Sequence, residues 1–167
     1  RGSHGFRNAA DLVLAELNPK TIESMREWAP PEASIRNPID LTPQGTLEDF
    51  ARAIDAVLSD DGTDACLVIY VPPVATKETE WARAVWTTAQ KHRKPVVCNS
   101  LGRTEDSPAF IELVQHDVPS YLYPENAARA LAAMVRHSTY LERDEGRFRT
   151  FEVDRGGAEE VLRTAMQ

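Results

Sequence analysis

The stretch Asn37–Pro73, NPIDLTPQGTLEDFARAIDAVLSDDGTDACLVIYVPP, decides how the rest of this chain is read. Asn37-Pro38 is a turn dipeptide, because the proline ring drives Asn37 out of the α region. Thr46 can cap a new helix, with Asp49 three residues on as a short capping-box partner. Leu47, Phe50, Ala51, Ile54, Val57 and Leu58 recur at helical spacing and predict one buried face. Ser59-Asp60-Asp61-Gly62 stops the helix. Residues 65–71 (ACLVIYV) are then apolar almost without alternation, the pattern of a strand buried on both faces. Pro72-Pro73 ends it. A helix feeding a doubly buried strand is half of a parallel α/β crossover, and such sheets bind ligands in the loops at their strand C-termini.

Working outward, residues 12–17 (LVLAEL) form an expected strand, and 20–28 (KTIESMREW) a short helix that Pro30-Pro31 ends. Thr76 is positioned to cap a helix running to about His92, with Trp81, Ala84, Val85 and Ala89 inward. Pro95–Ser100 is the next buried strand and Leu101-Gly102-Arg103 the loop at its end. Ser107 and Pro108 then start a helix with Phe110, Ile111 and Val114 inward. A short strand at 120–123 and a helix from Pro124, with Ala127, Ala128, Leu131, Met134 and Val135 inward, complete the alternation. The rhythm predicts an α/β fold, a flavodoxin-like doubly wound parallel sheet.

A chain of 167 residues fits one core. Its net charge of −7 argues against nucleic acid as a partner, since neutralising phosphates takes a basic face. No apolar run approaches the roughly 20 residues of a membrane span, and no leader is visible, so a cytoplasmic protein is expected. Cys66 and Cys98 both fall inside strands and read as small core hydrophobes in a reduced compartment rather than as a disulfide. His92, His116 and His137 lack neighbouring ligands at metal spacing, so no metal site is expected. No catalytic Ser-His-Asp or Cys-His constellation is visible.

The landmarks at 30–40 (PPEASIRNPID), 64–69 (DACLVI), 94–97 (KPVV) and 118–119 (VP), together with 123–131 (YPENAARAL), stand in an order similar to one known family. The chain resembles the CoA-ligase domain of NDP-forming acyl-CoA synthetases, the acetate–CoA ligase and succinyl-CoA synthetase superfamily, including protein acetyltransferase fusions. The likeness covers roughly residues 8 to 140. It implies that the intact enzyme turns a carboxylate, CoA and ATP into acyl-CoA, ADP and phosphate through a phosphohistidine on another domain. ATP, Mg and CoA are thus implied for the intact enzyme and none for this piece. Implied partners are the CoA-binding and ATP-grasp domains or subunits of the same synthetase, and a homo-oligomer is a further option. Thr76 and Lys77 would face the phosphate, because in these relatives paired helix N-termini flank the phosphorylated histidine, and a helix start is an anion site.

The departures bear on domain limits. The family's usual first strand and its Gly-Gly loop have no counterpart, so the sheet is expected to lack that strand and the chain to be a fragment. Arg1-Gly2-Ser3-His4 resembles a cleaved-tag remnant, residues 5–141 are the expected domain, and 142–167 are expected to form a linker helix toward an ATP-grasp domain.

Seven residues are singled out, each with a plainer structural role. Asn37, Pro38 and Asp40 form a loop that could meet a partner, or an Asx-type turn that only holds the chain. Thr76 and Lys77 open a helix whose dipole Glu78 and Glu80 can already satisfy. Gly102 permits close backbone approach and Arg103 can reach an anion, or both belong to a surface loop. Trp86, opposite Trp81, is expected to face a partner domain. The competing function is a non-catalytic regulatory or assembly module of an acetyltransferase fusion. A receiver fits poorly, since Tyr70-Val71-Pro72 stands where an acceptor aspartate is needed. A flavodoxin fits poorly too, since the phosphate-cradling loop it needs after the first strand is missing here.

Overall fold

In the computed structural model, residues 12–71, 78–144, 146 and 154–166 are described. Three parallel strands, β1 (Cys66–Tyr70), β2 (Val96–Ser100) and β3 (Ser120–Tyr121), stand in that order. Helices α2 (Leu47–Ser59), α3 (Glu78–Ala89) and α4 (Pro108–Gln115) pack on one face through Ile54, Leu58, Trp81, Val85 and Leu113. Helix α5 (Pro124–Leu141) covers the other face through Ala127 and Leu131 against Val97. Helix α1 (Pro19–Arg26) buries Met25, and α6 (Arg155–Ala165) follows the domain. The α/β, doubly wound, parallel architecture is therefore the observed one.

Local chemistry explains the elements. Thr46 and Asp49 make a complete capping box: Thr46 Oγ1 accepts from Asp49 N at 3.2 Å and Asp49 Oδ2 accepts from Thr46 N at 2.9 Å. We expect Thr46→Ala to cost about 1 kcal/mol in urea unfolding with an unchanged m-value, because the Asp49 N–H loses its side-chain acceptor. Ser107 caps α4 and Pro108 occupies its first turn. At Gly45 a Cβ would stand 2.8 Å from Leu41 Cβ, so the loop into α2 closes only on glycine.

Five expectations about the elements are corrected. Among the described residues, 12–17 add no strand to the sheet: Val13 sits in a single β-bridge, the Ala15 carbonyl accepts from Asn37 Nδ2 at 2.9 Å, Val13 and Leu14 are exposed, and only Leu17 is buried. Apolar composition makes a strand only where a neighbour offers a ladder. β1 is buried on one face rather than two. Leu67 packs against the α5 cluster, but Ile69 stays 47% exposed because α5 lies over β2 and the first half of β1.

Helix α4 is rotated from the expected stripe, with Ala109 and Leu113 inward and Ile111 and Val114 exposed. Contacts to α3 set that rotation. Trp86 faces α4 rather than a partner domain: its ring stacks on His116 at 3.9 Å and its Nε1 donates to Glu112 Oε1 at 3.1 Å. In α5, Met134 and Val135 are exposed, because the helix runs past the sheet that would have covered them.

The other sheet edge is fixed by Asp60. Its carboxylate accepts from Asn18 N at 2.8 Å, Asn18 Nδ2 at 2.7 Å and Gly62 N at 2.7 Å. Its carbonyl accepts from Lys94 Nζ at 2.6 Å. One residue thus ties α1, α2 and the approach to β2. His92 Nε2 lies 2.7 Å from Asp55 Oδ1 and joins the end of α3 to α2.

Candidate functional site

The C-terminal edge of a doubly wound sheet is where ligands meet the fold, and here it is built from the ends of β1 and β2. Tyr70 and Ser100 are register partners, and Leu101 N donates to Tyr70 O at 2.9 Å. The Tyr70 ring stacks on Trp81 at 3.9 Å with an 11° interplanar angle, while Phe50 meets both rings edge-on. One turn before Trp81, Glu78 Oε1 receives Arg103 Nη2 at 2.5 Å, which fastens the loop after β2 to the start of α3.

This corner holds an unusual set of atoms. Tyr70 Oη, Trp81 Nε1 and Ser100 Oγ are buried and have no hydrogen-bond partner among the described residues, and the same holds for Glu78 Oε2 and Arg103 Nε. Buried polar groups normally find partners, so these atoms are the candidate receiving groups of this corner. Four of the five groups can donate and one is a carboxylate oxygen. On the opposite face Asn99 Nδ2 donates to Tyr121 O at 2.9 Å and leaves Oδ1 unpaired. Val71 and Leu101 lie exposed beside the cluster.

The residues singled out from sequence divide into three groups. Gly102, at φ 71° with open space around it, and Arg103 belong to this corner. Thr76 and Lys77 lie outside the described residues. Asn37 and Asp40 are engaged elsewhere in holding their loop: Asn37 bonds Ala15, the Asp40 carboxylate accepts from Thr42 N at 2.9 Å, and its backbone exchanges two bonds with Ser34 at 2.8 and 2.9 Å. Pro38 follows Asn37 through a cis peptide. Among the described residues no hydrogen bond or ion pair joins this loop to Arg103. Tyr70, Trp81 and Ser100 were missed as site residues; for Tyr70 and Ser100 the available signal was a hydroxyl at the end of each of two strands.

Covalent chemistry finds little here. Desolvation pushes the Cys66 thiol up to about 12, and burial beside Cys66 raises Cys98 further, so neither supplies a thiolate nucleophile. Among the described residues no three His, Cys, Asp or Glu side chains could hold a metal, and no helix is long and apolar enough to cross a membrane.

The Ligase-CoA domain model matches residues 6–140, which is most of the chain. The chain belongs to the Ligase-CoA domain family. This Ligase-CoA domain is 30% identical over 131 residues to the acetate–CoA ligase [ADP-forming] II subunit alpha of Pyrococcus furiosus, covering 76% of this chain and 29% of the relative. It is 26% identical over 152 residues to the 4-hydroxybutyrate–CoA ligase [ADP-forming] of Nitrosopumilus maritimus, covering 89% and 22%. The crystal structure of PH0766 from Pyrococcus horikoshii OT3 superposes with a TM-score of 0.75 at 29% identity, covering 80% of this chain and 32% of that one. The Ligase-CoA domain thus spans less than a third of the length of each of these proteins.

Proposed function

We propose that this Ligase-CoA domain works within a cytoplasmic NDP-forming acyl-CoA synthetase, where carboxylate, CoA and ATP become acyl-CoA, ADP and phosphate through a phosphohistidine on another domain. Its share is to be scaffold and receiving surface. The observation that carries this reading is the corner of unpartnered donors at the start of α3, set on a chain whose curated relatives are ADP-forming ligases. Thr76 and Lys77 lead into that helix start, and Gly102 and Arg103 face it from the loop after β2. ATP, Mg and CoA are held by other domains in this reading. The exposed Val71 and Leu101 beside the corner suit burial against a partner domain of the same enzyme. The ligase relatives lend nothing to the regulatory alternative.

Two measurements test it. The 167-residue chain, incubated with ATP, CoA and acetate, is expected to form no acyl-CoA; product formation would overturn the scaffold role. In the intact parent enzyme, Arg103→Ala is expected to lower turnover about tenfold while shifting the stability of the domain by less than about 1 kcal/mol, since the ion pair is partly solvated. Unchanged turnover would remove Arg103 from the receiving surface.

A further inference from the structure

Residues 101–106, between β2 and the Ser107 cap of α4, are all exposed except Arg103. The backbone before it is unsupported: Gly102 stands at φ 71° with no neighbour within 4 Å of where a Cβ would be. Thr104 spends its hydroxyl on Asp106 inside the loop. The middle of the loop is tied to α3 by Arg103 Nη2 and Glu78 Oε1 at 2.5 Å. That tie is enclosed, with the two side chains 34% and 17% exposed, against 62% for Arg83 and 51% for Asp55 in the pairs Arg83–Glu112 and His92–Asp55. Partly buried pairs are screened less by salt than open ones.

The pair is also incomplete. A guanidinium and a carboxylate can join through two parallel bonds, yet Arg103 Nε and Glu78 Oε2 both lack a partner among the described residues. Glu78 thus fixes one nitrogen of the fork and leaves another donor unspent. The surrounding charges do not place Arg103 by themselves. It is the single Lys or Arg between Pro95 and Ala128, its loop carries Glu105 and Asp106, and the chain into α3 carries Lys77, Glu78 and Glu80. Glu105 and Asp106 are exposed, so a freed Arg103 has carboxylates of its own loop to turn to. What aims it at the corner is the bond to Glu78.

We infer that Glu78 is a positioning residue: it holds Arg103 at the C-terminal edge of the sheet, keeps the unspent side of the guanidinium turned to what the corner receives, and orders residues 101–106 in doing so. The inference rests on the place proposed above for Arg103 in the receiving surface. Glu78 acts through Arg103, so its removal matters only while Arg103 is present.

Two readouts test this. In the 167-residue chain, backbone amide relaxation is expected to give order parameters for residues 102–105 that fall below about 0.6 in Glu78→Ala and in Arg103→Ala alike, while the thermal midpoint moves by less than about 4 °C. In the intact parent enzyme, Glu78→Ala is expected to lower turnover about tenfold, as Arg103→Ala does, and to change it less than about twofold once Arg103 is already alanine. Glu78→Gln keeps an acceptor at Oε1 and should recover part of the loss. An equal loss from Glu78→Ala with and without Arg103, a loop as ordered in Glu78→Ala as in the unaltered chain, or a midpoint that falls further overturns the positioning role and leaves the receiving surface standing. Unchanged turnover in Arg103→Ala overturns both.

Discussion

Trp81→Ala is expected to destabilise the domain by about 4 kcal/mol, enough to leave it largely unfolded near body temperature. The indole is fully buried, lies flat on Tyr70 at 3.9 Å and meets Phe50 edge-on at 6.5 Å, so its removal opens a cavity bordered by α2, α3 and β1 together. Collapse cannot fill it, because Tyr70 is fixed by its strand and Phe50 by a capped helix. Urea unfolding followed by circular dichroism measures the loss. A cost under about 1 kcal/mol would mean that the aromatic cluster is not the centre of the core. Trp81→Phe refills most of the volume and removes the unpaired Nε1 donor, so it should cost far less.

Asp60→Ala ranks second, at about 3 kcal/mol. Removal takes the acceptor of three part-buried bonds from Asn18 and Gly62, and hydrogen bonds to a charged group are the stronger kind. The residue also carries a pH signature. Burial alone would raise its pKa, but hydrogen bonds from Thr21, Gly62 and Asn18 outweigh that and hold it below the ordinary carboxylate value. A carboxylate with a depressed folded-state pKa contributes stability that is fully present above its unfolded value. That contribution is lost as the pH falls through the folded value. Denaturation midpoints of the unaltered chain should therefore drop in the acid range below about pH 4, and the Asp60→Asn chain should show a smaller drop. Parallel acid profiles for the two chains would show that Asp60 is not the group responsible.

Much of the fold was legible in local chemistry. Thr46 with Asp49, Ser107 with Pro108, and the apolar runs of β1 and β2 each state their structure within a few residues, because caps and buried strands are short-range devices. Misreadings arose where a side chain's fate depends on a distant neighbour. Residues 12–17 have strand composition but, among the described residues, form no strand of the three-stranded sheet, and Ile111 and Val114 lost the inner face of α4 to Ala109 and Leu113, with Trp86 and His116 stacked between α3 and α4. Met134 and Val135 obey the helical period and still lie open, since the period does not say how far a sheet extends.

The site was half legible for a related reason. Gly102 and Arg103 announce themselves by conformational freedom and charge at a strand terminus. Tyr70, Trp81 and Ser100 look like ordinary core or strand-end residues until the absence of a hydrogen-bond partner among the described residues is seen, and satisfaction is a property of three-dimensional surroundings. Asn37 and Asp40, conspicuous in sequence, are conspicuous because a tight loop needs them: their side chains already bond Ala15 and Thr42.

The placement of the two cysteines has a chemical consequence of its own. Cys66 and Cys98 stand on adjacent strands beneath α2 and α3, fully screened and held in the thiol form. Peroxide attacks thiolates that it can reach, so the folded domain presents it with no target at either sulfur. An oxidising episode would thus spare native molecules and mark those already opened, turning chemical damage into a selection for intact structure.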